Sequence, residues 1–320
     1  MTSFPTLTRR ECAEALLKLK SPTVLMHVRP DGDTVGSGVA LIRILDSLGI
    51  KAKYICSDPI PHRLRFLFDK EELAKEVEGE LVTIDVASPA QVGALYEKLP
   101  APTLSIDHHE VNSPFAPNYT VGGESSAGEV LMGIVEELEG MGKLTLTREI
   151  AEPLYAAISS DTGRFCFSST TSQTLIRAAR LLDTGVDAAR INHLLFNSKS
   201  REQIKAEGFV AENMKTRQDG KIAYATISVK DRERLGLDME YFESAVDIIR
   251  ALEGVEIAVV FKEVSEGIYR ASLRSTHRDV AAIAHKFDGG GHTLAAGCSP
   301  KGNNIEEVAE AVLSELEKPY

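Results

Sequence analysis

His27-Val28-Arg29-Pro30-Asp31-Gly32-Asp33 follows directly on the apolar run Thr23-Val24-Leu25-Met26, so the end of a buried strand carries one imidazole and two carboxylates. Two later runs end in the same way. Leu81-Val82-Thr83-Ile84 stops at Asp85, and Thr103-Leu104-Ser105-Ile106 stops at Asp107-His108-His109. In an open α/β sheet the carboxyl ends of parallel strands line a common edge, and ligands bind there. Three acid-bearing strand ends therefore predict one crevice.

Outward from this stretch, strand and helix alternate. Val39, Leu41, Ile42, Leu45 and Leu48 recur at helical spacing after Gly36-Ser37-Gly38, until Gly49 stops the helix. Residues 51–56 read as a second strand, 61–68 as a short helix, 81–85 as a third strand, 89–99 as a helix opened by proline and 103–106 as a fourth strand. Continuous apolar strands in such alternation predict an α/β fold, with a parallel sheet covered by helices on both faces. Residues 127–138, 148–160 and 172–183 read as further helices. The expected division is a catalytic domain over 1–195, a helical linker over 196–214 and a smaller α/β domain over 215–320. That last part shows strands at 221–229, 255–262 and 267–274 and helices at 242–252 and 305–316. Within it, Gly289-Gly290-Gly291-His292 lets backbone amides approach a ligand closely.

Composition bounds the reading. At 320 residues the chain exceeds the size at which one core stops growing, and 43% hydrophobic and 26% charged residues are ordinary for a globular protein. No apolar run approaches the roughly 20 residues of a membrane span, and the first twenty residues mix acids and bases where a signal peptide needs an apolar stretch. A cytoplasmic protein without membrane contact is expected. The four cysteines lie far apart with no C-x-x-C pair, which suggests neither a zinc knuckle nor a disulfide framework. A net charge of −11 argues against coating long nucleic acid, while metal ions could still let clustered carboxylates receive a short anionic substrate.

Imidazoles and carboxylates together, His27, Asp31, Asp33, Asp85 and His108, suit manganese or magnesium better than a thiolate-binding metal. Two ions about 3.5–4 Å apart can clamp a phosphate, with Asp85 as bridge and a hydroxide as nucleophile for in-line displacement. Asp161-Thr162-Gly163 offers the further acid that a second ion needs. Each single strand-end Asp is also a common helix cap, but the joint occurrence of His-x-x-Pro-Asp-x-Asp, Asp and Asp-His-His favours ligation.

These motifs resemble the DHH phosphoesterase family, named for the triplet at Asp107-His108-His109, and the resemblance covers nearly the whole chain. Its four motifs are the stretch from His27 to Ser37, Asp85, the triplet, and Asp161-Thr162-Gly163. The C-terminal Gly289 to His292, with Arg274-Ser275 upstream, is similar to the DHH-associated domain of the nanoRNase branch. The resemblance implies a hydrolase that degrades very short oligoribonucleotides and removes a phosphate from adenosine 3′,5′-bisphosphate, in a cleft between its two domains. It implies two divalent cations, Mn2+ or else Mg2+. One would lie on His27, Asp31 and Asp85, the other on Asp33, Asp85, His108 and Asp161. Asp107 would orient an imidazole, His109 would face the scissile phosphate as donor or general acid, and Asp85 would complete the catalytic set. Arg274, Ser275, Gly290, Gly291 and His292 would bind the far phosphate or terminal nucleotide. A homodimer is left open.

Rival readings within the superfamily are a manganese pyrophosphatase, a RecJ-type single-strand exonuclease and a cyclic or linear dinucleotide phosphodiesterase. The first wants a Ser-Arg-Lys-Lys-Gln segment that the chain lacks, and the second wants an additional barrel for which little sequence remains. From another class, a non-catalytic nucleotide sensor would have lost a ligand, and none is lost. A Rossmann-type oxidoreductase would want G-x-G-x-x-G after the first strand.

Overall fold

Thr23–Leu25 (β1), Lys53–Ile55 (β2), Leu81–Ile84 (β3), Leu104–Asp107 (β4) and Asn118–Thr120 (β5) pair in parallel in the order β2-β1-β3-β4-β5. They belong to a computed structural model that describes residues 4–68, 73–109 and 115–318 and divides into two compact units, Met1–Ser198 and Lys199–Tyr320. Every residue of β1, β3 and β4 is buried, as expected for strands covered on both faces.

The helices of this unit are Arg9–Leu16 (α1), Gly32–Ser47 (α2), Ala127–Gly140 (α3), Arg148–Asp161 (α4), Ser172–Asp183 (α5) and Ala188–Asn192 (α6). Alternation sends Val24, Val82, Ile84, Leu104 and Ile106 to one face of the sheet, where they pack with Leu41, Leu45, Leu131, Ile134 and Leu154 of the helices. Leu25, Ile55 and Leu81 face the other side, which Val86, Val92 and Leu95 cover. The helix expected over 89–99 is here two 3₁₀ segments, Pro89–Gln91 and Gly93–Lys98. Gly93 is the reason: its φ of +70° breaks an α-helix, and a Cβ there would meet Val28 Cγ1 at 2.5 Å. The helix expected over 61–68 shrinks to His62–Leu64. β5 was not anticipated, because three residues are too few to show a period.

α2 and α4 come together through small residues. A Cβ on Gly36 would stand 2.7 Å from the Pro153 carbonyl oxygen and 2.9 Å from the Ala157 nitrogen; α3 approaches α4 as closely, and a Cβ on its Gly128 would stand 2.5 Å from Ala157 Cβ. The motif glycine Gly36 thus serves helix packing, and the close approach brings the first turn of α2, with Asp33, near the last residue of α4, Asp161.

The second unit holds Arg201–Asn213 (α7), Lys215–Arg217 (β6), Ile222–Ile227 (β7), Val229–Leu235 (α8), Ala245–Arg250 (α9), Ile257–Ser265 (β8), Ile268–Ser275 (β9), Val280–His285 (α10), Gly290–His292 (β10), Ala295–Cys298 (β11) and Ile305–Glu317 (α11). Its six-stranded sheet runs β10-β11-β9-β8-β7-β6, with only β7 and β8 parallel. Leu273, Val259 and Phe261 pack under Val308, Val312 and Leu316 of α11, while Ala258 and Val260 face α7 and α9. The helix expected as a linker is therefore part of this unit. α7 buries Ala206, Phe209 and Val210 against Phe242, Val246 and Ile249, a stripe narrow enough to leave the sequence looking polar.

Backbone atoms cannot retreat from a new Cβ as side-chain ends can, so Gly36→Ala is expected to cost about 1–3 kcal/mol, read as a lower midpoint in thermal or urea unfolding. An unchanged midpoint would show that α2 and α4 can part without loss.

Candidate metal centre and anion site

The strand ends β1, β3 and β4 and the facing ends of α2 and α4 deliver the predicted residues to one place in the first unit. Three groups have ligand atoms all within 4.8 Å of one another: His27, Asp31 and Asp85; Asp33, His108 and Asp161; and Asp85, His108 and His109. Asp85 belongs to two of them, one with His27 and one with His108.

Each ring is aimed by its other nitrogen. His27 Nδ1 lies 2.8 Å from the Val28 carbonyl oxygen, and its Nε2 lies 3.4 Å from Asp85 Oδ2 and 3.7 Å from Asp31 Oδ1. His108 Nδ1 lies 3.3 Å from the Glu124 carbonyl oxygen, and its Nε2 lies 3.6 Å from Asp85 Oδ1, 3.6 Å from Asp161 and 3.8 Å from Asp33. A carbonyl only accepts, so both contacts place an N–H at Nδ1 and turn Nε2 toward the carboxylates. His109 differs: its Nδ1 donates to Asp107 Oδ1 at 2.7 Å, while Asp107 also accepts the His108 amide at 2.9 Å.

The acids are held with equal specificity. Asp31 does cap α2, its Oδ1 accepting from the Asp33 and Thr34 amides at 3.0 and 3.1 Å, yet the same carboxylate reaches His27. Asp33 is fully buried and accepts from the amides of Ala127 at 2.7 Å and Gly128 at 3.0 Å, at the start of α3. Asp85 sits at φ +59°, 2% exposed, with its Oδ1 buried and without a hydrogen-bond partner among the described residues. A left-handed backbone at a non-glycine residue and an orphaned buried carboxylate oxygen are costs that a fold keeps at functional positions. Asp161 ends α4, where the helix dipole ordinarily disfavours an anion.

The electrostatics follow from this crowding. Burial, then the charges of Asp85, Asp161 and Asp31, push the Asp33 carboxyl well above its ordinary range. Burial with Asp31 and Asp85 does the same to Asp161. For His27 burial alone would lower the pKa, but Asp31 and Asp85 outweigh it and hold the ring well above its ordinary value, while His27 in turn draws Asp31 down against its own burial. Burial likewise opposes the protonated form of His109, and Asp107 with Asp85 overcomes it. Donor spacings of 3.4–3.8 Å are too long for hydrogen bonds and close to the edge of a polyhedron with bonds of about 2.1 Å, roughly 3.0–3.4 Å. The nitrogen and oxygen donor set, the orphaned Asp85 oxygen and the clustered acids all fit divalent cations.

Sequence reading did not foresee the cradle for Asp33 and His108, which is the backbone from Glu124 to Gly128. Its one visible signal is Ser126-x-x-Glu129, the spacing of a helix start, with the Ser126 hydroxyl accepting from the Glu129 amide at 3.0 Å.

In the second unit Arg274 is half-buried on β9, and its only described hydrogen bond goes from Nη1 to the Leu273 carbonyl at 2.9 Å. Burial, together with Arg250, lowers its pKa against Asp247, and among the described residues no carboxylate pairs with it within 4.0 Å. Such a guanidinium suits an anion. Ser275, expected beside it, points to the opposite face by strand alternation, and its hydroxyl accepts from the amides of His277 at 3.3 Å and Arg278 at 2.8 Å. Ser275 shapes the turn after β9. Gly290, Gly291 and His292 form the edge strand β10, paired through His292 to Ala295 and through Ala295 in turn to Arg274. Gly291 has φ +141°, and a Cβ there would meet the Ala295 carbonyl oxygen at 2.5 Å. Among the described residues no helix is long and apolar enough to cross a membrane.

Two family models match the chain: "DHH family, N-terminal domain" over residues 22–158 and "DHHA1 domain" over residues 219–318. A Thermus thermophilus protein named bifunctional oligoribonuclease and PAP phosphatase NrnA is 34% identical over 313 residues, covering 95% of this chain and 92% of its own. A Bacillus subtilis protein of the same name is 31% identical, covering 91% and 92%. An exopolyphosphatase-related protein from Bacteroides fragilis has a crystal structure that matches with a TM-score of 0.86 at 22% identity, covering 98% of each chain, a likeness of fold.

The raised pKa values set a direction with pH. Asp33 and Asp161 bind protons more readily folded than unfolded, so the metal-free fold loses stability as pH rises from the ordinary carboxylate value through their folded pKa values, and His27 acts in the same sense above its ordinary value. Cation binding displaces those protons. Added Mn2+ is expected to raise the thermal midpoint of metal-stripped protein more at about pH 8 than at about pH 6. A shift that is equal at both values, or larger at the lower one, would contradict the crowding described here.

Proposed function

Since the chain belongs to the DHH family and is a hydrolase acting on phosphoester bonds, we propose that it degrades very short oligoribonucleotides to mononucleotides and removes a phosphate from adenosine 3′,5′-bisphosphate, with two divalent cations, Mn2+ before Mg2+. One observation carries the two-cation part: the buried Asp85 carboxylate has one oxygen 3.4 Å from His27 Nε2 and the other 3.6 Å from His108 Nε2. In this reading His27, Asp31 and Asp85 hold one cation, and Asp33, Asp85, His108 and Asp161 hold the other. The substrate part is supported by the names of relatives that match along more than nine-tenths of both chains.

Bound cations would supply Lewis acidity and a deprotonated water at neutral pH. The chain's own groups then have separate tasks. Asp85 keeps both ligand sets in fixed relation, and its strained backbone turns the carboxylate inward. The Nδ1 protons of His27 and His108, held by carbonyl oxygens, keep both Nε2 lone pairs directed at the site. Asp107 accepts from His109 Nδ1 and favours its protonated form, so His109 can donate from Nε2 to a phosphoryl or leaving oxygen. Arg274, with the edge backbone at Gly290 and Gly291 and the His292 ring, takes the far phosphate or terminal nucleotide. A fixed anchor of this kind makes substrate length a matter of reach.

Product analysis of labelled RNAs, from dinucleotide to long single strands, with Mn2+ and beside phosphate release from adenosine 3′,5′-bisphosphate, tests this reading. Rapid cleavage of the shortest RNAs with bisphosphate hydrolysis is expected. Turnover confined to pyrophosphate or a cyclic dinucleotide would overturn the substrate assignment, and no turnover of any phosphate compound would favour a sensor. Asp85→Ala is expected to abolish turnover. Hydrogen bonds to charged groups are worth about 1.5–3 kcal/mol, so Arg274→Ala should raise the dinucleotide KM about 10- to 100-fold while leaving Mn2+ affinity unchanged. Equal loss of Mn2+ affinity in that variant would contradict an anchoring role.

A further inference from the structure

Arg177 lies on α5 with 2% of its surface exposed, outside every cluster of candidate metal ligands. Its Nη1 donates to both oxygens of Glu124 at 2.8 Å and to Glu129 Oε1 at 3.3 Å, and its Nη2 to Glu136 at 3.3 Å. The other Glu129 oxygen accepts from the Ser125 amide at 3.0 Å, the Ser125 hydroxyl at 2.6 Å and the Thr174 hydroxyl at 2.9 Å. One guanidinium therefore fastens both ends of the turn from Glu124 to Glu129.

That turn is the cradle of two candidate ligands. The Glu124 carbonyl oxygen meets His108 Nδ1, and the amides of Ala127 and Gly128 meet both oxygens of Asp33. A buried ion network of this size is a poor stabiliser, because apolar residues of equal volume generally serve as well or better. What it does provide is geometry: three carboxylates from one turn and one helix, all referred to a single planar group.

We infer that Arg177 is a positioning residue for the metal centre, acting through the Glu124 carbonyl on the direction of His108 Nε2 and through the start of α3 on Asp33. The inference rests on the cation-binding part of the proposed function and is independent of its substrate. Residues that orient metal ligands from outside are worth about 10- to 100-fold in affinity, and Arg177 acts one step further out.

The test is Mn2+ affinity of the full-length protein, measured by titration with the free ion followed by its electron paramagnetic resonance, at a temperature well below each variant's unfolding midpoint. Arg177→Met is expected to weaken binding on the order of 10-fold, and Arg177→Lys to recover part of the loss, since an ammonium cannot span Glu124 and Glu129 as a guanidinium does. Glu124→Gln keeps the carbonyl and removes the charge pairing, so it should shift affinity the same way by less, and it reports even where Arg177→Met does not fold. Arg180→Ala, which breaks pairs with Glu136 and Glu139 on the same helix, should leave affinity unchanged. Lowered midpoints with unchanged affinity in Arg177→Met and Glu124→Gln would overturn the positioning role. Absence of Mn2+ binding in the unaltered protein would instead overturn the cation reading itself.

Discussion

Repulsion among carboxylates is the constraint on which the first unit turns. Asp31, Asp33, Asp85 and Asp161 are drawn together with Asp33 and Asp85 almost wholly out of water, and the fold answers with imidazoles and amides, while among the described residues no lysine or arginine forms an ion pair with them. Like charges at such separations raise proton affinity by burial and by mutual repulsion, as Asp33 and Asp161 show. A site of this kind is an unfavourable arrangement for protein alone and a favourable one for divalent cations, and the same property suits the cations to neutralise phosphate in a chain of net charge −11.

The architecture is arranged to hold that repulsion in place. Parallel strands bring Asp85 and the Asp107-His108-His109 triplet to one edge, while glycine-mediated contact between α2 and α4 supplies Asp33 and Asp161. Backbone groups do most of the aiming: carbonyl oxygens at Val28 and Glu124 for the rings, and amides at the starts of α2 and α3 for the acids. Main-chain groups have little freedom to relax, which preserves the geometry against the charges that would spread it. The second unit has the opposite character, an edge strand of glycines beside a desolvated arginine without a carboxylate partner among the described residues.

Much of this was legible in the sequence because strand ends are legible. Apolar runs stopping at His27, Asp85 and Asp107 placed β1, β3 and β4 and grouped the acids that follow them, and the helical periods of α2 to α5 were equally plain. The 3₁₀ segments at 89–98 were hidden because Pro89 imitates a helix start, whereas Gly93 decides the outcome through a left-handed backbone visible only in three dimensions. α7 was read as a connector because only three of its residues are buried. Ser275 was grouped with Arg274 through the family resemblance, although neighbours on a strand face opposite ways. The Glu124 to Gly128 cradle acts through main-chain atoms, which every residue possesses, so side-chain identity could not announce it.

In the proposed centre Asp85 joins two cation sites. The most direct measurement is the stoichiometry and magnetic coupling of Mn2+ bound to the full-length protein, by electron paramagnetic resonance on metal-reconstituted samples of the protein and of Asp85→Ala. Two Mn2+ per chain are expected, with an exchange-coupled signal that disappears in the variant. A single uncoupled Mn2+ in the unaltered protein, or a coupled pair that survives the loss of Asp85, would contradict this assignment.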